Sequence, residues 1–191
     1  MIKIQRPNCP HQSALENQDH KHPKNKKALS EASYGKCMYC ESKVEAIDYG
    51  DVEHIKPKNK FPDLEHQWSN LGFSCRKCNR TKWNKFDPEA PYVNPYEEDP
   101  KEFLIPFGEA LSAIKGNIRG RVTIEEIELN RDDLLEKRMT KIKALEAIFN
   151  EFSVQKNRTL AQKALEAIKE HYDDSHEYSF FLKDLLQRHG F

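Results

Sequence analysis

Four cysteines in two identical pairs, Cys37-Met-Tyr-Cys40 and Cys75-Arg-Lys-Cys78, have the spacing that lets one tight turn present two thiolates to a metal. Two such turns complete a tetrahedral zinc shell, and a shell of four thiolates is closed, so this Zn²⁺ holds structure and does no chemistry. Two disulfides, or four unrelated core cysteines, do not account for two equal spacings, and a disulfide framework suits a small secreted chain better. The pairs stand 34 residues apart, longer than in a simple zinc ribbon, so a unit with its own role is inserted between them.

That insert carries Asp51-Val-Glu53-His54-Ile-Lys56-Pro-Lys58, then Trp68-Ser-Asn70-Leu71, and the second pair is followed by Asn79, Arg80 and Lys82. A carboxylate beside an imidazole suits phosphodiester hydrolysis, with the carboxylate binding a hard divalent ion and the histidine taking a proton from water. Adjacent residues of a strand point to opposite faces, so Glu53 and His54 border one cleft only at a twisted or bulged strand end. A lone Glu-His pair is more often a solvated strand end; here its place between two metal knuckles favours chemistry.

In this order, C-x2-C, V-E-H-I-x-P, W-x-N-L and S-C-x2-C-N-x2-K resemble the HNH endonucleases of the ββα-metal fold. The resemblance implies an α+β protein with a ββα-metal core clamped by zinc knuckles. By it, His54 is the general base, Glu53 and Asn79 hold a catalytic Mg²⁺ or Mn²⁺, and Asn70 orients the catalytic loop through backbone hydrogen bonds. Glu stands where Asp is commoner, and Asn79 where the last His often stands. The opening Met1-Ile-Lys-Ile4, the G-K-C-x-Y-C-E around Cys37, and Leu129-Asn-Arg131…Leu134…Arg138 are similar to a narrower branch. That branch contains the HNH subunit of Septu-type antiphage defence systems, which works beside an ABC-type ATPase. The alternatives are a stand-alone restriction-type HNH enzyme, and a zinc-held nucleic-acid-binding module without turnover. The module needs none of Glu53, His54 and Asn79.

The chain has 191 residues, with 31 Lys and Arg against 31 Asp and Glu. Zero net charge argues against uniform affinity for nucleic acid, but the charge is unevenly placed. Between His54 and Phe86 stand Lys56, Lys58, Lys60, Arg76, Lys77, Arg80, Lys82 and Lys85 against Asp63 and Glu65. A basic surface centred on the motif suits phosphate, and Lys56, Lys58, Arg76, Arg80 and Lys82 are the expected substrate contacts. DNA is the expected substrate. Lys82 is expected at a helix start, where a point charge suits an anion. No apolar run is long enough to span a membrane or to act as a secretory signal, and reduced knuckle cysteines with the odd Cys9 suit a reducing cytoplasm.

Three regions are expected to position these groups: a polar arm (1–28), the HNH core with its zinc site (29–90), and a hairpin with a helical extension (91–191). In the arm, Ile2 and Ile4 alternate as an edge strand would; the prolines break regular structure, and the lysines read as a mobile basic loop. Cys9, His11, His20 and His22 are too irregularly spaced for a second metal site, and His66 reads as an exposed loop residue. Leu29–Tyr34 suits a short helix. Residues 42–56 are expected to form the hairpin, with Val44, Ile47, Val52 and Ile55 inward and a turn at Tyr49–Asp51. Asn79–Trp83 begins the helix, and Trp83 packs inward. Further on, 103–115 forms a hairpin around Gly108, and Thr123 with Glu126 opens a short helix. Helical stripes follow through Leu135, Met139, Ile142, Leu145, Phe149 and Phe152, through Leu165, Ile168 and Tyr172 after Thr159, and through Tyr178, Leu182 and Leu185 after Ser175. The helices of 131–189 are the expected docking face for the ATPase.

Overall fold

The computed structural model describes residues 1–44, 49–154, 157–170 and 173–190. Its centre is a ββα unit. Strand β1 (Asp51–His54) pairs antiparallel with β2 (Leu71–Ser74), placing Glu53 opposite Gly72 and His54 opposite Leu71, and helix α3 (Arg76–Lys82) follows. The partner of β1 is therefore β2, not the 42–49 segment that the turn signal at Tyr49–Asp51 suggested; Ile47 lies outside the described residues. The reason is hydrophobic. Leu-Gly-Phe-Ser is buried at every position of β2, and pairing there buries Val52 against Phe73. The long loop 55–70 between the strands turns through Pro57 and Pro62, where strand pairing is unavailable.

Helix α3 starts about one turn before Asn79, where the sequence places its beginning. Cys75 caps it, its Sγ accepting from the Cys78 amide at 3.4 Å. Asn79 thus lies mid-helix and Lys82 is the last helical residue. Trp83 follows with φ 49° and ψ −127°, an unfavourable conformation for a bulky side chain, and is turned outward, 68% exposed. The expectation of a packed Trp83 fails because the helix ends before it.

The first knuckle docks on β2. The Met38 amide donates to Phe73 O at 2.9 Å. A Cβ on Gly72 would stand 2.4 Å from Met38 Sδ, so glycine is what permits this approach.

The segment 1–28 is part of the core rather than a free arm. Met1, Ile2 and Ile4 are buried, and the Ile4 amide donates to Pro95 O at 2.8 Å. Arg6 Nη1 donates to Trp68 O and Leu71 O, both at 2.8 Å, and Trp68 Nε1 donates to Pro7 O at 2.8 Å. Two helices follow, α1 (Gln12–Glu16) and α2 (Pro23–Ala32). Pro23 opens α2 rather than breaking structure, because the first helical residue needs no amide proton.

Strands β3 (Leu104–Phe107) and β4 (Ala110–Ala113) form the expected hairpin. Helix α4 (Ile118–Glu126) is capped by Asn117, whose Oδ1 accepts from the Gly120 amide. Thr123 is not its cap; it is buried mid-helix and its Oγ1 accepts from the Val93 amide at 2.9 Å. Helices α5 (Asp132–Val154), α6 (Arg158–Glu170) and α7 (Ser179–Arg188) complete the chain. Asn157 caps α6 in place of Thr159, α7 starts at Ser179 rather than Ser175, and Tyr172 lies outside the described residues. On α5 the buried face runs through Leu134, Arg138, Leu145 and Phe149, while Met139 is exposed. One apolar cluster joins Met1 to Phe181, and a smaller one of Leu145, Phe149, Ile168, Leu182 and Leu186 holds α5, α6 and α7 together. The N- and C-terminal regions therefore share the core of the ββα unit. No helix among the described residues is long and apolar enough to cross a membrane.

Candidate active site

The four knuckle cysteines converge. Their sulfurs lie within 4.8 Å of one another, Cys40 Sγ and Cys75 Sγ at 3.9 Å, and none forms a disulfide. With Zn–S bonds of about 2.3 Å, tetrahedral geometry puts sulfurs about 3.8 Å apart, so the donor set fits zinc. Four thiolates around Zn²⁺ leave a net charge of about −2, and α5 meets it. Arg131 Nη1 donates to Cys78 Sγ at 3.5 Å, and the buried Arg138, two turns on, lies within electrostatic reach of Cys40. Glu41 and Ser42 tie the first knuckle to α7: Ser179 Oγ donates to Glu41 Oε2 at 3.0 Å, and Ser42 Oγ shares a hydrogen bond of 2.8 Å with the Tyr178 hydroxyl.

A cleft of about 340 Å³ is lined among others by His20, Glu53, His54, Asn79, Lys82 and Trp83. His54 stands at the end of β1, half-buried. Its Nε2 is 3.0 Å from Glu65 O. A carbonyl only accepts, so Nε2 carries the proton and Nδ1 is left as the basic nitrogen. Burial holds its pKa below the ordinary 6.5, so the ring is neutral at pH 7, as a base must be.

Glu53 is buried, its Oε1 held by Lys82 Nζ at 2.6 Å and by the Tyr39 hydroxyl at 3.3 Å. Burial raises its pKa, against the pull of Lys82. Both bonds fall on Oε1, leaving Oε2 for another ligand. Asn79 Nδ2 donates to Asp51 Oδ2 at 3.0 Å, which leaves its Oδ1 as a neutral oxygen donor. Oxygen donors of this kind would suit a hard divalent ion such as Mg²⁺, which prefers oxygen ligands.

Lys82 departs from expectation. It sits at the C-terminal end of α3, not its start, is 1% exposed, and also donates to His54 O at 2.8 Å. It is the buried counter-ion that braces β1, so a phosphate contact for it is not supported. Lys56 and Lys58 are exposed on the loop; Lys58 borders the cleft and pairs with Glu65 at 2.7 Å. Arg76 and Arg80 are exposed one turn apart on α3 and line a separate shallow depression with Lys77.

Asn70 is buried at the other end of the loop. Its Nδ2 donates to Lys56 O (3.0 Å) and Leu64 O (3.1 Å), and its Oδ1 accepts from the Lys56 amide (2.8 Å). Asn70→Ala removes all three bonds; Leu64 O keeps the Gln67 amide, but the part-buried amide and carbonyl of Lys56 lose their partner. At about 1–3 kcal/mol for such a group, urea unfolding should show a loss of about 2–4 kcal/mol.

Three residues at the site escaped sequence reasoning. Asp51 lies two positions from Glu53 on the same strand face, a signal that was present but read only as a turn. Tyr39 was visible only as knuckle filler. His20 enters from the N-terminal segment, its ring centroid 4.7 Å from that of His54, and no local pattern announces it.

Residues 37–85 match the HNH endonuclease family. The chain is similar to two curated proteins called Septu protein PtuB. One, from Bacillus thuringiensis, is 34% identical over 71% of this chain and 57% of its own length. The other, from Bacillus mycoides (strain KBAB4), is 29% identical over 63% of this chain and 52% of its own length. The chain thus spans little more than half the length of these relatives.

Proposed function

We propose that this chain, whose residues 37–85 form an HNH endonuclease domain, is the nuclease subunit of a Septu-type antiphage defence complex and hydrolyses phosphodiester bonds of DNA. The observation that carries the reading is the 3.0 Å approach of His54 Nε2 to Glu65 O: a carbonyl only accepts, so the proton is assigned to Nε2 and Nδ1 is left to act as a neutral base. In this role Nδ1 takes a proton from the attacking water as the new P–O bond forms and the old one breaks. Glu53 and Asn79 would hold Mg²⁺ or Mn²⁺, which offsets the charge developing on the leaving oxygen. Lys82 keeps Glu53 in place, and Asn70 keeps the loop that carries Glu65 against His54. Lys58, with Lys56, Arg76 and Arg80 further out, supplies phosphate contacts without reading sequence. Trp83, exposed at the cleft rim, offers a face for base stacking.

The partner in this reading is an ABC-type ATPase docked on 131–189. Supporting it are the resemblance that Arg131 and Arg138 carry, the name shared by the two relatives, and three helices that lie outside the ββα unit itself. With only about six net positive charges around the motif, the isolated chain should bind DNA in the non-specific range of about 10⁻⁴–10⁻⁶ M. The test is DNA cleavage with Mg²⁺ by the full chain alone and by the assembly purified from its host, with mass analysis of what accompanies it. Weak cleavage alone and strong cleavage with an ATPase present is the expected result. Robust cleavage by the full chain, with nothing co-purifying, favours the stand-alone enzyme instead.

A further inference from the structure

We infer that His20, His54 and Glu65 form a second metal site, distinct from both the zinc knuckle and the oxygen donors Glu53 and Asn79, which takes a zinc-type divalent ion and switches the nuclease off. One nitrogen from each imidazole and one carboxylate oxygen lie within 4.8 Å of one another. His20 Nδ1 is 3.8 Å from Glu65 Oε1. That nitrogen is buried and has no hydrogen-bond partner, and neither has His66 Nδ1, on a ring 5.6 Å from that of His20. Buried ring nitrogens are ordinarily paired. An orphan directed at a carboxylate beside a second imidazole is explained by a ligand that bridges them.

The donor set selects the ion. Two imidazoles and one carboxylate with an open fourth position suit Zn²⁺, Co²⁺ or Ni²⁺, whereas Mg²⁺ prefers oxygen. Lys58 Nζ lies 2.7 Å from the same Glu65 oxygen, but its side chain is 46% exposed, so the ammonium can move into water as the ion enters.

The consequence for catalysis follows from the tautomer. An ion on His54 Nδ1 uses the lone pair that takes the proton from water. An ion on Nε2 takes the place of the proton bonded to Glu65 O, so the neutral ring carries its one proton on Nδ1, which then cannot accept another from water. Bound through either nitrogen, His54 no longer serves as the base. This inhibitory effect rests on the nuclease reading above; binding of the ion does not.

The two can be tested separately. Full chain with its cysteine site filled by zinc is titrated with Co²⁺ and followed by visible absorption. The expected signal is a cobalt band for one further ion per chain, without the thiolate charge-transfer band that cobalt in the cysteine site would give. His20→Asn and Glu65→Gln should each weaken this binding on the order of tenfold or more, since each removes a ligand. In the second arm, Zn²⁺ or Co²⁺ is added to the Mg²⁺-driven cleavage reaction. Inhibition is expected for the wild type over the range in which the band forms, and should be lost in His20→Asn. The site is refuted if no such band appears, or if band and inhibition persist in His20→Asn at wild-type metal concentrations. A wild type that fails to cleave with Mg²⁺ counts against the nuclease reading alone, and the absorption arm still decides the site.

Discussion

His54→Ala should cleave DNA about 10²–10⁴-fold more slowly than the wild type while binding it with unchanged affinity. At the middle of that range the loss is about 4 kcal/mol of transition-state stabilisation. The separation of rate from binding follows from the site. His54 is half-buried at the end of β1 and bonded to Glu65 O, whereas the exposed cations Lys56, Arg76 and Arg80 lie elsewhere. The rate should also have a particular pH dependence. A base works when unprotonated, and burial holds the His54 pKa below 6.5. Activity should therefore rise with pH along a limb whose midpoint lies below 6.5, and be level through neutrality. Single-turnover cleavage across pH 4.5–8, with binding measured in parallel, checks both points. Near wild-type cleavage by His54→Ala, or a midpoint above 7, sinks the assignment of His54 as base.

The legible parts of this protein are those whose information is local. Equal cysteine spacings announce the knuckles because the turn itself delivers the thiolates. The window from Val52 to Asn79 is legible for the same reason. The partner of β1 was not. Two short strands separated by the loop 55–70 find each other through burial of Val52 and Phe73, and a turn signal closer in sequence points elsewhere. Lys82 was misplaced through helix phase. A cysteine is an uncommon cap, so the start of α3 at Arg76 passed unnoticed, and a lysine taken for a helix start proved to be a buried counter-ion. The N-terminal segment looked free because its apolar residues are few. Those few, Met1, Ile2 and Ile4, are buried, and Arg6 and Trp68 then clasp the segment against the ββα unit. That clasp brings His20 to His54, a contact between distant residues that no periodicity encodes. On α5, Arg131 and Arg138 stand out in the sequence only through the resemblance to the narrower branch, which gives them no role. Arg131 donates to Cys78 Sγ, and Arg138 lies over the Phe181 ring within electrostatic reach of Cys40 and Glu41, contacts between residues too far apart in sequence for any spacing to announce.

Cys37→Ser or Cys78→Ser should abolish zinc binding and folding together. Binding of Zn²⁺ to a site of this kind contributes about 10–16 kcal/mol, against a net stability of about 5–15 kcal/mol for an ordinary domain. Here the metal has more than one element to hold. Cys37 lies in the turn that docks through Met38 on β2, and Cys78 lies within α3, one residue before Asn79. The first knuckle anchors α7 through Glu41 and Ser42, and Cys78 of the second accepts from Arg131 of α5. Without the ion, four sulfurs are crowded together, the buried Arg138 loses nearby thiolate charge, and half-buried Arg131 is left with Asp133 as its anionic partner. The expected result is one zinc per chain held by the cysteine site in the wild type after dialysis against metal-free buffer, by elemental analysis. Either serine variant should lack this ion and show a collapsed near-ultraviolet circular dichroism signal, and treatment of the wild type with a strong chelator should reproduce both changes. A variant that stays folded and zinc-free would overturn the structural role of the metal. It would mean that the apolar cluster from Met1 to Phe181 suffices to hold β1, β2 and α3 in register, and with them the geometry around His54.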